Sequence, residues 1–154
     1  MKILRLFIFI IIAFLPSVSG VVVKTGEWYT TLIKPVLNPP GWVFGPVWTV
    51  LYLLIGISGW LAWEKRQLGT GSRSAFVFYS VQLAFNVLWT IFFFGLHQPL
   101  LALCDLLAMW VFVLLNIIYF WRIRPASGIL LIPYIMWISF AGYLNFALWW
   151  LNRT

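Results

Sequence analysis

Five stretches of the chain are apolar for about 20 residues each, the length a helix needs to cross a bilayer. They run over 6–23, 42–63, 75–95, 99–121 and 129–150. Apolar residues follow one another in these stretches without the strict alternation of a barrel strand, which excludes a membrane β-barrel. Backbone groups in lipid have no water to pair with, so each stretch must bond internally as a helix. No unit repeats along the chain, and no low-complexity segment interrupts it. The pattern predicts an all-α integral membrane protein, one domain over 1–154, built as a five-helix bundle.

The connections are unequal. Three are short, at 63–74, 96–98 and 122–128, whereas 24–41 is long and carries Gly26, Pro35, Pro39, Pro40 and Gly41. Proline fixes φ and stiffens such a segment. Long ordered loops in compact domains are usually functional. This one is expected to act as a lid over one end of the bundle, with a plain tethering loop as the alternative. The first apolar run also has a rival reading. Lys2 and Arg5 before it, and Pro16-Ser17-Val18-Ser19-Gly20 within it, resemble a signal peptide with a cleavage site. The run continues through Val21-Val22-Val23, which favours a retained span.

Composition agrees. Of 154 residues, 64% are hydrophobic and only 8% charged, against about 25% charged in soluble domains. A soluble surface, intrinsic disorder and a disulfide scaffold are excluded. The net charge of +7 is no nucleic-acid footprint, because the basic residues sit in ones to threes between the spans. They act as topology signals instead. Lys2, Arg5, Lys65, Arg66, Arg73, Arg122 and Arg124 fall on the N-terminal side, and Lys24, Lys34 and Arg153 on the other. That excess predicts a cytoplasmic N-terminus. Trp28, Trp42, Trp60, Trp63, Trp121, Trp149 and Trp150 suit an interfacial belt, while Trp48, Trp89, Trp110 and Trp137 lie inside spans where belt anchoring does not explain them.

The spans carry few polar residues: Gln82, Asn86, Asp105, Asn116, Ser139 and Asn145. In lipid such groups usually face the bundle interior and often mark function. The plain alternative is interhelical hydrogen bonding. Helical spacing places Gln82, Asn86, Trp89 and Phe93 on one stripe, Phe44, Trp48 and Tyr52 on another, and Trp137, Ala141, Asn145 and Leu148 on a third. A fourth joins Asp105, Met109, Phe112 and Asn116. Trp48, Trp89, Asp105 and Ala141 each fall about 9–14 Å below the lid end of their span at 1.5 Å per residue. The adjacent Ala141-Gly142 leaves a notch among bulky rings. Aromatic walls, a few polar groups and a lid predict a pocket for a flat apolar ligand.

Catalytic chemistry is poorly supplied. The only histidine, His97, lies in a tight loop, so no Ser-His-Asp set exists. Too few ligands are present for a metal cluster, and no metal or obligatory cofactor is expected. His97 is read as capping or solvating the 96–98 turn, with an axial haem ligand as the alternative. Cys104, the only cysteine, excludes an internal disulfide and is read as a small buried hydrophobe. Two small-residue surfaces permit close helix approach: Ser80 with Ala84, which is favoured as a homodimer contact, and Gly56 with Gly59 and Ala62.

The runs 28–35 (WYTTLIKP) and 38–52 (NPPGWVFGPVWTVLY) resemble the signature of the TspO/MBR family, also called translocator protein, tryptophan-rich sensory protein or peripheral-type benzodiazepine receptor. Asn86 with Trp89, Asp105, and the pattern Pro133-Tyr134-x-x-Trp137-x-x-Phe140-Ala141-x-Tyr143-Leu144-Asn145 match as well, in order and over essentially the whole chain. The likeness is to bacterial-type members.

The resemblance implies a five-helix bundle, usually homodimeric, that binds porphyrins, haem-type tetrapyrroles and other flat apolar ligands under the first loop. It further implies that Tyr29, Phe44, Trp48, Tyr52, Asn86, Trp89, Trp137 and Ala141 line the pocket, to which the depth argument adds Asp105. A regulatory or transport role is implied, with membrane lipid and a second copy as partners and no nucleic acid. Binding is favoured over enzymatic action. Two other readings stay open: light-dependent porphyrin degradation through Trp48 and Trp137, and export of small apolar compounds using Asp105. Two positions depart from the family pattern. Leu37 stands where many members have a tryptophan after the lid's Lys-Pro. The basic residue following Tyr143 is ten positions on, at Arg153, so the sterol-recognition pattern of animal members is absent.

Overall fold

A computed structural model of the chain describes residues 1–23, 26–68 and 71–153. Five of its helices or helix pairs are long and apolar enough to cross a membrane. They are α1 (Lys2–Val22), α3 (Gly41–Lys65), α4 (Ser72–Thr90), α5 (Pro99–Ile123) and α7 (Ile132–Leu151). Two short helices, α2 (Glu27–Thr31) and α6 (Pro125–Ile129), lie between them. Among the described residues there is no strand. The five spans occur where the apolar runs predict them, but most are longer. α1 reaches back to Lys2, and α3 and α5 extend into their basic flanks.

One connection and one span end hold structure, besides α2, that hydropathy does not reveal. The 122–128 connection contains α6, whose Ser127 carbonyl accepts a bond from Ser58 Oγ at 2.7 Å and so ties α6 to α3. The top of α4 widens into a π-turn over Ile91–Gly95, closed by Leu96 N–H donating to Ile91 O at 2.8 Å.

α1 packs on α3 and α4, α4 on α5, and α5 on α7. The α1–α3 contact depends on glycine. A Cβ at Gly56 would lie 2.8 Å from Ile10 Cα, and one at Gly59 would lie 2.8 Å from the Phe9 ring. Gly56, Gly59 and the fully buried Ala62 therefore bring two helices of one chain together, and they offer no surface to a second copy. Helix association in lipid relies on such close packing, because lipid tails are as apolar as the side chains. Ser80 and Ala84 remain exposed on α4 beside Val77 and Leu88. Cys104 is also exposed, on the outer face of α5, and is not the buried hydrophobe its composition suggests.

The core runs through the middle of the bundle, with Ile55, Ala75, Phe120, Leu131, Tyr134 and Ile138 fully buried. Polar ties cross it. Asn116 Nδ2 donates to Ala75 O at 2.9 Å. At the end bearing most of the basic residues, Arg5 pairs with Glu64 at 2.9 Å and joins α1 to α3.

Candidate ligand-binding site

Four of the residues singled out in the sequence meet at one place. Trp48 from α3, Asn86 and Trp89 from α4, and Ala141 from α7 surround an internal cavity, completed by Leu106 and Met109 of α5 and Ile138 of α7. Its volume is about 10 Å³, room for about one water molecule. Sites for drug-sized ligands span roughly 300–1,000 Å³. The bundle is therefore closed, and the space a flat ligand would need is filled by aromatic rings.

Two amides brace this cavity, Asn86 in its wall and Asn145 behind Trp89. Asn86 accepts from Tyr52 Oη through Oδ1 at 2.9 Å and donates through Nδ2 to Tyr134 Oη at 3.2 Å. Tyr134 in turn donates to the Met109 sulfur at 3.5 Å. Asn145 accepts from Trp89 Nε1 at 2.9 Å and donates to the Pro99 carbonyl at 2.7 Å. Each amide thus uses both its donor and its acceptor, which fixes its orientation. Buried networks satisfied in this way rigidify their surroundings.

The other predicted residues stand one layer away. Tyr52 stacks on Trp48 with ring centres 5.3 Å apart. Phe44 meets Trp137 edge-on at 5.9 Å. The Trp137 indole does not line the cavity; its Nε1 is buried without a hydrogen-bond partner. Trp48 and Trp137 make no direct ring pair among the described residues: Trp48 edges Tyr134 instead, at 6.2 Å. Asp105 is buried and also lies off the cavity wall, with neither carboxyl oxygen hydrogen-bonded. Gln82, one turn below Asn86, is likewise buried with its amide unpaired. Leaving such a group unsatisfied costs about 1–3 kcal/mol.

Tyr29 touches the cavity only through intermediaries. It packs edge-on against Phe93 at 6.2 Å, and Phe93 stacks on Trp89 at 5.2 Å. Its hydroxyl donates to Asn38 Oδ1 at 3.2 Å. Burial pushes the Tyr29 phenol above its ordinary pKa, with the Asn38 bond opposing in part. Residues 26–40 lie against the end of the bundle. Trp28 stacks on His97 at 4.4 Å, and Asn152 pairs with the Ile33 backbone. His97 has a φ of 54°, and its ring packs on that segment in addition to shaping the turn. Positions 24 and 25 of the expected lid fall outside the described residues.

The sequence pattern does not point to Leu106, Met109 and Ile138 as cavity residues, nor to Tyr134 as the partner of Asn86 behind them. Met109 shares a stripe with Asp105, and Tyr134 lies one turn from Trp137. Those spacings were the available signals.

On the outer face of the same wall, α5 and α7 leave an apolar groove of about 560 Å³, lined by Leu106, Trp110, Ile138, Gly142 and Phe146 among others. Ala141 and Gly142, read together as one notch, thus look to opposite sides, Ala141 to the cavity and Gly142 to the groove.

A bundle of five apolar spans, closed around a small cavity walled in part by indole rings, defines a multi-pass membrane protein. Residues 6–151 match the TspO/MBR family. The chain is 47% identical over 125 residues to the tryptophan-rich protein TspO of Archaeoglobus fulgidus, covering 81% of this chain and 80% of that one. It is 42% identical over 137 residues to the tryptophan-rich sensory protein of Cereibacter sphaeroides, covering 89% and 84%. The translocator protein of Bos taurus is 36% identical over 149 residues, covering 91% and 87%. The chain belongs to the TspO/MBR family.

Proposed function

We propose that the protein binds tetrapyrroles of the protoporphyrin or haem type, and other flat apolar ligands, inside the bundle, in a regulatory or transport role. The observation that carries this reading is the convergence of Trp48, Asn86, Trp89 and Ala141 on one internal cavity. Indole faces suit a flat π-system, and the Asn86 amide in the wall, by exchanging its present partners, suits a polar atom at its edge. Closure of the cavity is consistent with a ligand that enters by displacing rings. Residues 26–40 serve as the lid, coupled to the cavity through Tyr29, Phe93 and Trp89. The N-terminus faces the cytoplasm, by the excess of basic residues at that end. Two copies associate through the exposed Ser80–Ala84 face of α4.

Titration of purified protein with protoporphyrin IX, followed by tryptophan quenching, tests the reading. Saturable quenching that weakens in Ala141→Leu supports it, and its absence in the wild type refutes it.

Two observations keep other chemistry in view. The unpaired, buried indole N–H of Trp137 favours a role in light-dependent porphyrin degradation. Loss of porphyrin absorbance in light that Trp137→Phe abolishes, with binding kept, would establish that activity. The unpaired Asp105 carboxyl inside the bundle favours coupling to protons. Transport that needs a proton gradient and fails in Asp105→Asn would establish export.

A further inference from the structure

The cavity and the outer groove share two residues, Leu106 of α5 and Ile138 of α7. Both side chains are almost wholly buried, at 2% and 0% exposure, so the wall between the two spaces is one side chain thick. On its inner side lies the cavity of about 10 Å³ and on its outer side the groove of about 560 Å³. We propose that flat apolar ligands reach the inner cavity sideways from the bilayer, along the α5–α7 groove and past Leu106 and Ile138, and not through the lid. This rests on the ligand-binding reading above.

Three features support the route. The first is the chemistry of the groove. Its indole donor is already satisfied, with Trp110 Nε1 bonded to Ser139 Oγ at 2.9 Å, so the groove needs no polar partner. A flat apolar compound partitions into the bilayer and meets the protein on this face. The second is the contrast between the two ways in. On the lid side, Asn152 holds the Ile33 backbone at 2.9 and 3.0 Å, and Trp28 stacks on His97. Opening there breaks directional bonds. In the side wall, the residues shared by groove and cavity are two aliphatic side chains, Leu106 and Ile138, which make no directional bond to break. The third is Gly142. Its missing side chain leaves Leu106 room to swing outward, because a Cβ there would stand 3.3 Å from Leu106 Cδ2. Gly142 lines the groove and not the cavity, so filling it alters the passage without touching the bound ligand.

A residue that narrows a passage slows entry and exit together and leaves the equilibrium unchanged. The test is stopped-flow tryptophan quenching by protoporphyrin IX, with the full chain in lipid nanodiscs. Gly142→Leu is expected to slow association and dissociation by about fivefold or more each, with Kd within about twofold of wild type. Gly142→Ala, the milder change should the leucine variant not fold, is expected to slow both by about twofold. Asn152→Ala, which frees the lid, is expected to leave both rates unchanged. Unchanged rates in the Gly142 variants, or rates that rise in Asn152→Ala, would place entry at the lid and overturn the proposal. A wild type that does not quench at all would remove the ligand-binding reading itself, a separate outcome from the other two.

Discussion

Asn152 grips Ile33 with both ends of its amide across 119 residues of sequence. The Ile33 N–H donates to Asn152 Oδ1 at 2.9 Å, and Asn152 Nδ2 donates to the Ile33 carbonyl at 3.0 Å. The same Nδ2 reaches Leu148 O at 2.8 Å, which anchors the grip to the last turn of α7. A side-chain amide here takes the place of a neighbouring strand. It satisfies a backbone donor and acceptor in a segment that has little regular structure of its own.

Asn152→Ala removes both bonds. With each bond contributing about 0.5–1.5 kcal/mol, the local opening of residues 26–40 should become about 5- to 150-fold more frequent, at 1.4 kcal/mol per decade. Hydrogen exchange at the Ile33 amide reads this directly. Protection equal to wild type would mean that the aromatic contacts of Trp28 and Tyr29 hold the segment alone.

Ala141→Leu should weaken protoporphyrin IX binding by at least about fivefold while expression and folding persist. The added side chain projects into a cavity that is already nearly full, and overfilling typically costs about 1–3 kcal/mol. Affinity unchanged in the quenching titration would show that the ligand sits elsewhere. The expected losses differ from those of Gly142→Leu one residue on, which should alter rates and spare Kd.

Gly56→Ala should lower the thermal stability of the protein in detergent, by about 1–3 kcal/mol, since its methyl would meet the Ile10 backbone. The neighbour is main chain and cannot swing aside. A variant as stable as wild type would mean that α1 is free to move away from α3.

A homodimer through α4 predicts disulfide crosslinking of a Ser80→Cys variant in the membrane. Cys104 is itself exposed on α5, so the experiment needs Cys104→Ala as background. Crosslinking in that background, with none from a Val50→Cys variant on the exposed face of α3, would support the assignment. Failure to crosslink together with a monomeric mass in detergent would refute it.

The spans and the centre of the site were legible in the sequence for different reasons. Hydropathy identifies a span because a charge in lipid is expensive. Trp48, Asn86, Trp89 and Ala141 could be placed together because polar and aromatic residues at equal depth stand out in an aliphatic helix. Leu106, Met109 and Ile138 could not, since leucine facing a cavity is the same residue as leucine facing lipid. A soluble protein separates its two faces by polarity, and a membrane bundle lacks that contrast. Small residues mislead for a related reason. Gly56 and Gly59 carry the same signal whether the partner helix belongs to the same chain or to another copy, and only packing against Ile10 and Phe9 decides it. The Asn152–Ile33 grip has no local signature, because a half-buried asparagine just past a helix end pairs with whatever backbone the fold brings to it.

The π-turn at the top of α4 has a bearing on how relatives should be aligned. It adds one residue to the last turn of the span, which shifts the direction in which the chain leaves α4 by about 100° relative to an unbroken α-helix. Phe93 and Phe94, both within this turn, reach Tyr29 at 6.2 and 5.6 Å. A homologue lacking one residue between 91 and 95 would keep the lower half of α4 in phase and present a different pair of side chains to the 26–40 segment. Single-residue gaps at this point would then mark subgroups that close their sites with different rings, even where the cavity residues below are identical.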